Sequence, residues 1–461
     1  MKKLVSKKKA GMLAFMFLIV VIIPVYQFNL LGRKFATPSA GVLDIWATWG
    51  DAPDQLQGIF DAYEEPVKVA TGVRSSDLLG ALASESPPDL VILSSNQMVK
   101  ALYDEGRLET LDPWTESTGI HLEDFFSAPL EQCQMPDSSH ACLPWGADVF
   151  ALYWNKDLFA AAGLDPEQPP RTMEELAEFA RKLTVVDDSG QISQVGFMPD
   201  YTRSHTDLYA NMLGGFWATG DGTQLTVTSQ PVIDAFTWQM QFYDRFEARD
   251  LNKFTLSVNK YMNSSHPEFA SARLNCQQCH RQSPRNSAKI PDHGFYNGQV
   301  AMMVDAQWQV GSAYIPTLKP DLNYGVAPFP PPADRPERAN TTVVQGPVVI
   351  IPSGANDKDA AIKFLAWMMS PEIVAEITLS NALLPTSRTA AQAASFQQVP
   401  HFELFMGLLD NPNAYSIPAS SNSEEINQSL RSAEKELLHE RAGDPATLLK
   451  SIQVEFASEN E

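Results

Sequence analysis

The chain has 461 residues, 44% hydrophobic and 19% charged, with a formal net charge of −21 and a pI near 4.8. That balance excludes disordered and collagen-like chains, and the length favours two lobes over one core. A field of this sign disfavours nucleic acid, anionic lipid and phosphate-rich ligands as partners.

Residues 1–40 reverse the balance, with seven Lys/Arg and no Asp/Glu; setting those seven charges aside from −21 leaves −28 on the remainder. Lys2, Lys3, Lys7, Lys8 and Lys9 precede an apolar run from Met12 to Leu31. A bilayer core needs about 20 apolar residues, so the run is long enough to span one. Met12 to Ile23 also fits a signal-peptide core, but no small-x-small cleavage pair stands out near Ala36 to Ala40. An uncleaved anchor is therefore expected, with its lysine-rich end inside. A cleaved, secreted form is the alternative. Either way the acidic body lies outside the cytoplasmic membrane.

The body opens with a strand over Gly41–Trp46 and a helix over Asp54–Tyr63, where Leu56, Ile59, Phe60 and Tyr63 share a face. A short strand near Val67, a helix from Ser76 to Ala83 and a buried strand at Pro87–Leu93 follow. Thr172 to Glu175 reads as a capping box, Pro231 as a helix first turn, Asp357 as an N-cap, and Ser370-Pro371 and Asp444-Pro445 as helix starts. Strands alternating with helices predict an α/β fold. Polar residues 263–292 read as an insertion, and Pro328–Arg338 as an exposed loop. Trp46, Trp154, Trp238 and Trp367 are expected in the core. Phosphate-loop, HExxH, GxSxG and EF-hand patterns are absent from the sequence, which lowers the expectation of an enzyme.

The segment LPWGADVFALYWNKDLFAAAGLD from Leu143 to Asp165, continuing to TMEEL at Thr172–Leu176, resembles the extracellular solute-binding proteins of sugar ABC importers, the maltodextrin-binding, cluster-one group. Further pieces match in order: PDLVI at Pro88–Ile92, FYNGQVAMMVDAQW at Phe295–Trp308, YGVAP at Tyr324–Pro328, GPVVIIPSGA at Gly346–Ala355 and LPT at Leu384–Thr386. The resemblance implies a two-lobed type II periplasmic-binding-protein fold with an interlobe cleft and no catalytic step. It divides the chain into residues 1–40 as anchor or signal, 41–147 as lobe one, 148–304 as lobe two, 305–345 as a return to lobe one, and 346–461 as lobe two with the C-terminal helices. It implies a carbohydrate ligand, an oligosaccharide, delivered to ABC permease subunits. The ligand contacts it implies are Trp308 for stacking, Asp148 as hydroxyl acceptor, and Trp49, Asn96, Tyr201, Trp217, Gln345 and Gly346.

Outside the membrane, Cys133 and Cys142 are expected to form a disulfide. CQQCH at Cys276, Cys279 and His280 has three readings: a disulfide or thiol pair, a metal site with His266 or His293, and covalent haem c. Haem c or a dithiol there gives an alternative function, a redox protein. A binding protein reporting to a membrane sensor is another, and a glycoside hydrolase a weaker one.

Overall fold

A computed structural model describes residues 41–48, 53–220, 222–258, 293–311, 314–417, 420 and 422–457. The chain divides into two compact units, Met1–Val42 and Leu43–Glu461. Only Gly41 and Val42 of the first are described, so the anchor or signal expectation lies outside the described residues. Among the described residues no helix is long and apolar enough to cross a membrane.

Two sheets organise the second unit. The first sheet contains β1 (Leu43–Ala47), β2 (Val67–Ala70), β3 (Leu90–Leu93), β4 (Leu143–Pro144) and β11 (Val348–Ile350), in the order β2-β1-β3-β11-β4. Strand β1 runs parallel to both β2 and β3, as a covered α/β sheet requires. Alternation along the strands then sorts side chains to two faces. Leu43, Ile45, Leu90, Ile92 and Val349 join one apolar cluster; Trp46, Val91, Leu93, Val348 and Ile350 join the other. The acid of the PDLVI motif anchors this sheet. Buried Asp89 accepts from the Asp44 amide at 2.9 Å and from the Asn356 and Asp357 amides at 3.2 Å each, tying β1 and β3 to the start of the helix Lys358–Met368.

The second sheet is built on β5 (Asp148–Asn155) and β8 (Val300–Ala306). β6 (Val185–Val186) and β7 (Ile192–Phe197) extend it beyond β8; β10 (Thr342–Gln345) and β12 (Ala414–Ser416) extend it on the other side, and β9 (Tyr324–Ala327) pairs the later half of β5. Its core is one large cluster that includes Phe150, Tyr153, Phe197, Tyr209, Phe236 and Phe329.

The helix starts follow the sequence. Thr172 accepts from the Glu175 amide at 3.1 Å, Asp357 from Ala360 at 3.0 Å and Asp444 from Thr447 at 2.9 Å. Trp46 and Trp154 are buried, and Trp238 and Trp367 pack against the cores. Two expectations are corrected. Residues 305–345 do not return to lobe one: β9 and β10 pair with β5 in the second sheet. Nor does 346–461 belong wholly to lobe two. β11 joins the first sheet, and the helices Lys358–Met368 and Pro371–Ser380 pack in its core, while Phe405 and Leu408 return to the second. Chain order cannot reveal these partners, because each pairing is non-local. Pro328–Arg338 is a loop with much exposed surface, but Phe329 is fully buried against Phe197, Tyr209 and Trp238.

Cys133 and Cys142 form a disulfide, with Cα atoms 4.9 Å apart and both residues fully buried. Closing so short a loop removes little denatured-state freedom. Replacing both cysteines by Ser is expected to lower unfolding stability by about 2–3 kcal/mol in urea titrations, without loss of the fold.

Candidate functional site

Two chain crossings between the sheets meet at Gly146 and Gly346. Strand β4 leads to β5 through Trp145, Gly146 and Ala147; β10 leads to β11 through Gly346 and Pro347. The Trp145 amide donates to the Pro347 carbonyl at 2.9 Å, and Ala147 exchanges two 2.9 Å bonds with Leu384. The contact is so close that a Cβ on Gly346 would lie 2.1 Å from the Gly146 carbonyl oxygen. At φ +155° and against fixed backbone, only glycine fits at Gly346.

Asp148 stands at the start of β5, in register with Gln345 on β10. Gln307 fixes its carboxylate: Nε2 donates to Asp148 Oδ1 at 2.7 Å and to the Ala382 carbonyl at 2.9 Å, while Oε1 accepts from the Val149 amide at 2.9 Å. Asp148 Oδ2 has no partner among the described residues. The side chain keeps some solvent access, yet protein surrounds it closely enough that burial pushes its pKa up to about 6, against the opposing pull of Gln307 and Arg203. It is thus a hydrogen-bond acceptor with one oxygen held and one open.

Trp308 is on the next turn after β8, partly exposed, with its ring edge-on to Phe150 at 5.8 Å between centroids. The turn is braced from below. Buried Asp305 accepts from the Ala306 amide at 2.8 Å and from Gln309 Nε2 at 2.7 Å, and Tyr296 donates to Gln309 Oε1 at 2.5 Å. Arg203 reaches the same place from the loop after β7. Its guanidinium lies over the Phe150 ring at 4.9 Å and donates to Gln345 Oε1 at 2.8 Å. Phe150 and Gln345 therefore bring together Asp148, Gln307, Trp308 and Arg203, giving an acceptor, an aromatic wall and a multidentate donor.

The other expected residues are elsewhere. Asn96 is buried, and its Nδ2 donates to the Gln132 carbonyl at 3.2 Å and, across the lobes, to the Ile417 carbonyl at 3.4 Å. Tyr201 is 1% exposed, with its hydroxyl on the Val258 carbonyl at 3.3 Å and its ring edge-on to His293, so it offers no open face. Trp217 lines a cavity of about 240 Å³ with Lys100, Leu225, Ser420 and Ile426, whose lining shares no residue with the Asp148 group. Gly346 acts in the crossing. Trp49, Cys276, Cys279, His280 and His266 lie outside the described residues. His293, the other candidate metal partner, is buried and stacked on Tyr296 at 4.0 Å, and burial lowers its pKa to about 3. Among the described residues no group of three His, Cys, Asp or Glu could hold a metal.

Sequence reading missed Arg203 and Gln307, and also a buried acid network beneath the Arg203 loop. Glu434 Oε1 accepts from Thr206 at 2.6 Å and Ser204 at 2.9 Å; Asp200 accepts from Tyr243 at 2.5 Å and pairs with His439. Burial, then the Asp200 charge, push Glu434 up to about 8, with Thr206 and Ser204 opposing. A folded-state pKa raised from an ordinary 4.5 means that protonation favours the folded protein, so this contribution is complete below about 4.5 and is lost as pH rises through about 8. Urea midpoints are expected to fall over that window in the wild type, and Glu434→Gln is expected to flatten the fall. Gly346→Ala is expected to cost about 1–3 kcal/mol by overpacking the crossing, read from the same titrations.

The sequence profile of the family described as bacterial extracellular solute-binding protein matches residues 47–375. The chain is 28% identical over 265 residues to the sn-glycerol-3-phosphate-binding periplasmic protein UgpB of Yersinia enterocolitica, an alignment covering 55% of this chain and 50% of that protein. It therefore spans about half the length of that curated relative, and 59% of the corresponding Escherichia coli protein. It is 23% identical over 429 residues to the maltotriose-binding protein of Pyrococcus abyssi, covering 90% of this chain and 82% of that one. A solved structure titled CpMnBP1 with mannotriose bound superposes with a TM-score of 0.72 at 24% identity, covering 90% of this chain and 99% of that one, a likeness of fold. With two sheets joined through a glycine-paired crossing and a profile match over most of its length, the chain belongs to the bacterial extracellular solute-binding protein family.

Proposed function

We propose that the protein is the extracytoplasmic solute-binding component of an ABC importer, holding a carbohydrate, an oligosaccharide, between its lobes and passing it unchanged to the permease. The observation that carries this reading is the open oxygen of Asp148, fixed by Gln307 beside the partly exposed Trp308 at the crossing. A pyranose has one apolar face and a rim of hydroxyls. Its face stacks on an indole, and a hydroxyl donates to a carboxylate with a charge-assisted bond. Family membership supports a place outside the cytoplasm. The named relatives are binding proteins, which supports a role without catalysis. Closure follows from the ligand's preference for the state in which both lobes touch it. On this reading residues 1–40 tether the body to the membrane surface next to its permease.

The test is thermal unfolding of the full chain with maltotriose, mannotriose and related oligosaccharides. A saccharide at micromolar level is expected to raise the melting temperature. Trp308→Ala is expected to weaken that binding about 10-fold, the loss of one stacking contact of about 1–1.5 kcal/mol. A broad saccharide panel that leaves the wild-type melting temperature unmoved refutes the reading, as does recovery of a hydrolysed ligand.

A further inference from the structure

Arg203 reaches the candidate site from a loop outside both sheets. Its charge lies in the field of Asp148, Asp207 and Asp305, so what remains to be fixed is its direction. The guanidinium lies over Phe150 at 4.9 Å and donates to Gln345 Oε1 at 2.8 Å, although the residue is exposed. Just before it, Thr202 has φ +67°, a left-handed conformation that is strained for a β-branched residue, and its hydroxyl is buried without a partner. Strain of this kind persists only where the surroundings enforce it.

The enforcing groups come from far along the chain. Glu434 lies on the helix Ser423–Lys435 and is 5% exposed. Its Oε1 accepts from Ser204 Oγ at 2.9 Å and from Thr206 Oγ1 at 2.6 Å. One buried atom thus grips both the residue after Arg203 and the first residue of the helix Thr206–Met212. Thr206 Oγ1 in turn accepts from Gln239 Nε2 at 2.9 Å. On the other side of Arg203, Asp200 is held by Tyr243 and His439. Among the described residues the Glu434 carboxyl bonds only to Ser204 and Thr206, so its effect on the site is indirect.

We propose that Glu434 is a positioning residue for the cleft: through Ser204 and Thr206 it holds the loop that lays Arg203 over Phe150 and against Gln345. This rests on the proposed binding of a saccharide and adds what keeps one of its contacts aimed. The grip depends on protonation. Around Glu434 stand Asp200 on the loop, Asp207 and Tyr209 on the helix Thr206–Met212, Tyr243 after the helix Gln230–Met240, and His439, with Lys435 paired to Glu440. Burial raises Tyr209 and Tyr243 well above the usual tyrosine range, and Asp200, against burial, is held below its usual range by His439. Glu434 itself is pushed up to about 8, by burial first and then by Asp200. The dry, gripped arrangement is what raises this pKa, so protonation favours it. Ionisation shifts the balance toward a loop opened to water, where the second negative charge is solvated. Asp148 and Asp305, pushed up to about 6 by burial, titrate on the acid side of that window. Against burial, Asp200 raises His439 as well; Glu434→Gln leaves His439 free to titrate and so separates the two groups.

Two readouts on the full chain test it. Trypsin cleavage after Arg203, followed by mass spectrometry, reads the hold on the loop with no ligand present. Glu434→Leu, similar in volume but without an acceptor, is expected to speed that cleavage about 10-fold or more. Cleavage after Arg181 and Lys182, in the helix Met173–Leu183, is expected to stay at the wild-type rate. Calorimetry with maltotriose and mannotriose reads the consequence for binding. Glu434→Leu is expected to bind about 10-fold weaker at pH 7. Between pH 7 and 9 the wild-type affinity is expected to fall about 5-fold, and that of Glu434→Gln, which keeps the acceptor and does not ionise, to stay level. If Glu434→Leu does not fold, Ser204→Ala, which removes one gripped hydroxyl, replaces it in both measurements with the same direction of effect. Wild-type cleavage after Arg203, or a rise shared equally by the helix sites, overturns the inference. So does unchanged affinity in Glu434→Leu, or a pH dependence that is absent in the wild type or equal in Glu434→Gln. If no saccharide of the wider panel binds the wild type, the proposed function falls, and cleavage alone decides whether Glu434 holds the loop.

Discussion

Gly146 and Gly346 pass so close that a Cβ on Gly346 would lie 2.1 Å from the Gly146 carbonyl oxygen. This contact sets the register of β10 on β5, and that register places Gln345 opposite Asp148. Gln345 then receives Arg203, while Gln307 ties Asp148 to the turn that carries Trp308. The candidate site is thus an outgrowth of the crossing. Asp148 and Gln345 are aimed by backbone hydrogen bonds in the sheet, which limits how far they can drift apart, while Arg203 and Trp308 reach them from a loop and a turn.

Local structure was legible in the sequence because its causes are local. Thr172, Asp357 and Asp444 cap helices through their own side chains, and the run at Leu90–Leu93 is apolar throughout because both its faces are covered. The ordered family motifs pointed to the two-lobed fold. The lobe to which residues 324–345 belong was not legible, since β9 and β10 find β5 across well over a hundred intervening residues. The site was legible only in part. Asp148 and Trp308 stand in distinctive motifs, and the structure puts both around Phe150 and Gln307. The family resemblance implied Tyr201 as a ligand contact, and the structure places it buried against His293. Arg203, two residues on, stands in no motif. Nothing in its neighbours' identities announces that Thr202 is strained or that Glu434, far along the chain, grips Ser204 and Thr206.

Charge is distributed on two scales. The body as a whole is strongly acidic, which favours solubility. Within the second lobe, carboxylates go inward in pairs with a hydroxyl, an imidazole or an amide, as at Asp200, Asp305 and Glu434. The network under the Arg203 loop carries a desolvation cost, and its members hold different protons: His439 and Tyr243 keep Asp200 below the usual carboxylate range although burial works the other way, while Glu434 is driven above it. Two neighbouring acids with opposite shifts avoid two adjacent negative charges in a confined space.

The Asn96 amide donates to a carbonyl on each side of the interlobe boundary. It is an electrically neutral fastener, so its strength does not depend on ionic strength as an ion pair's would. If the bond to the Ile417 carbonyl opens, water can take over that carbonyl and the freed N–H while the bond to Gln132 stays, an exchange nearly even in free energy. Such a fastener gives the contact direction at little net free energy. The contact at this point is therefore expected to be as firm in dilute buffer as in concentrated salt.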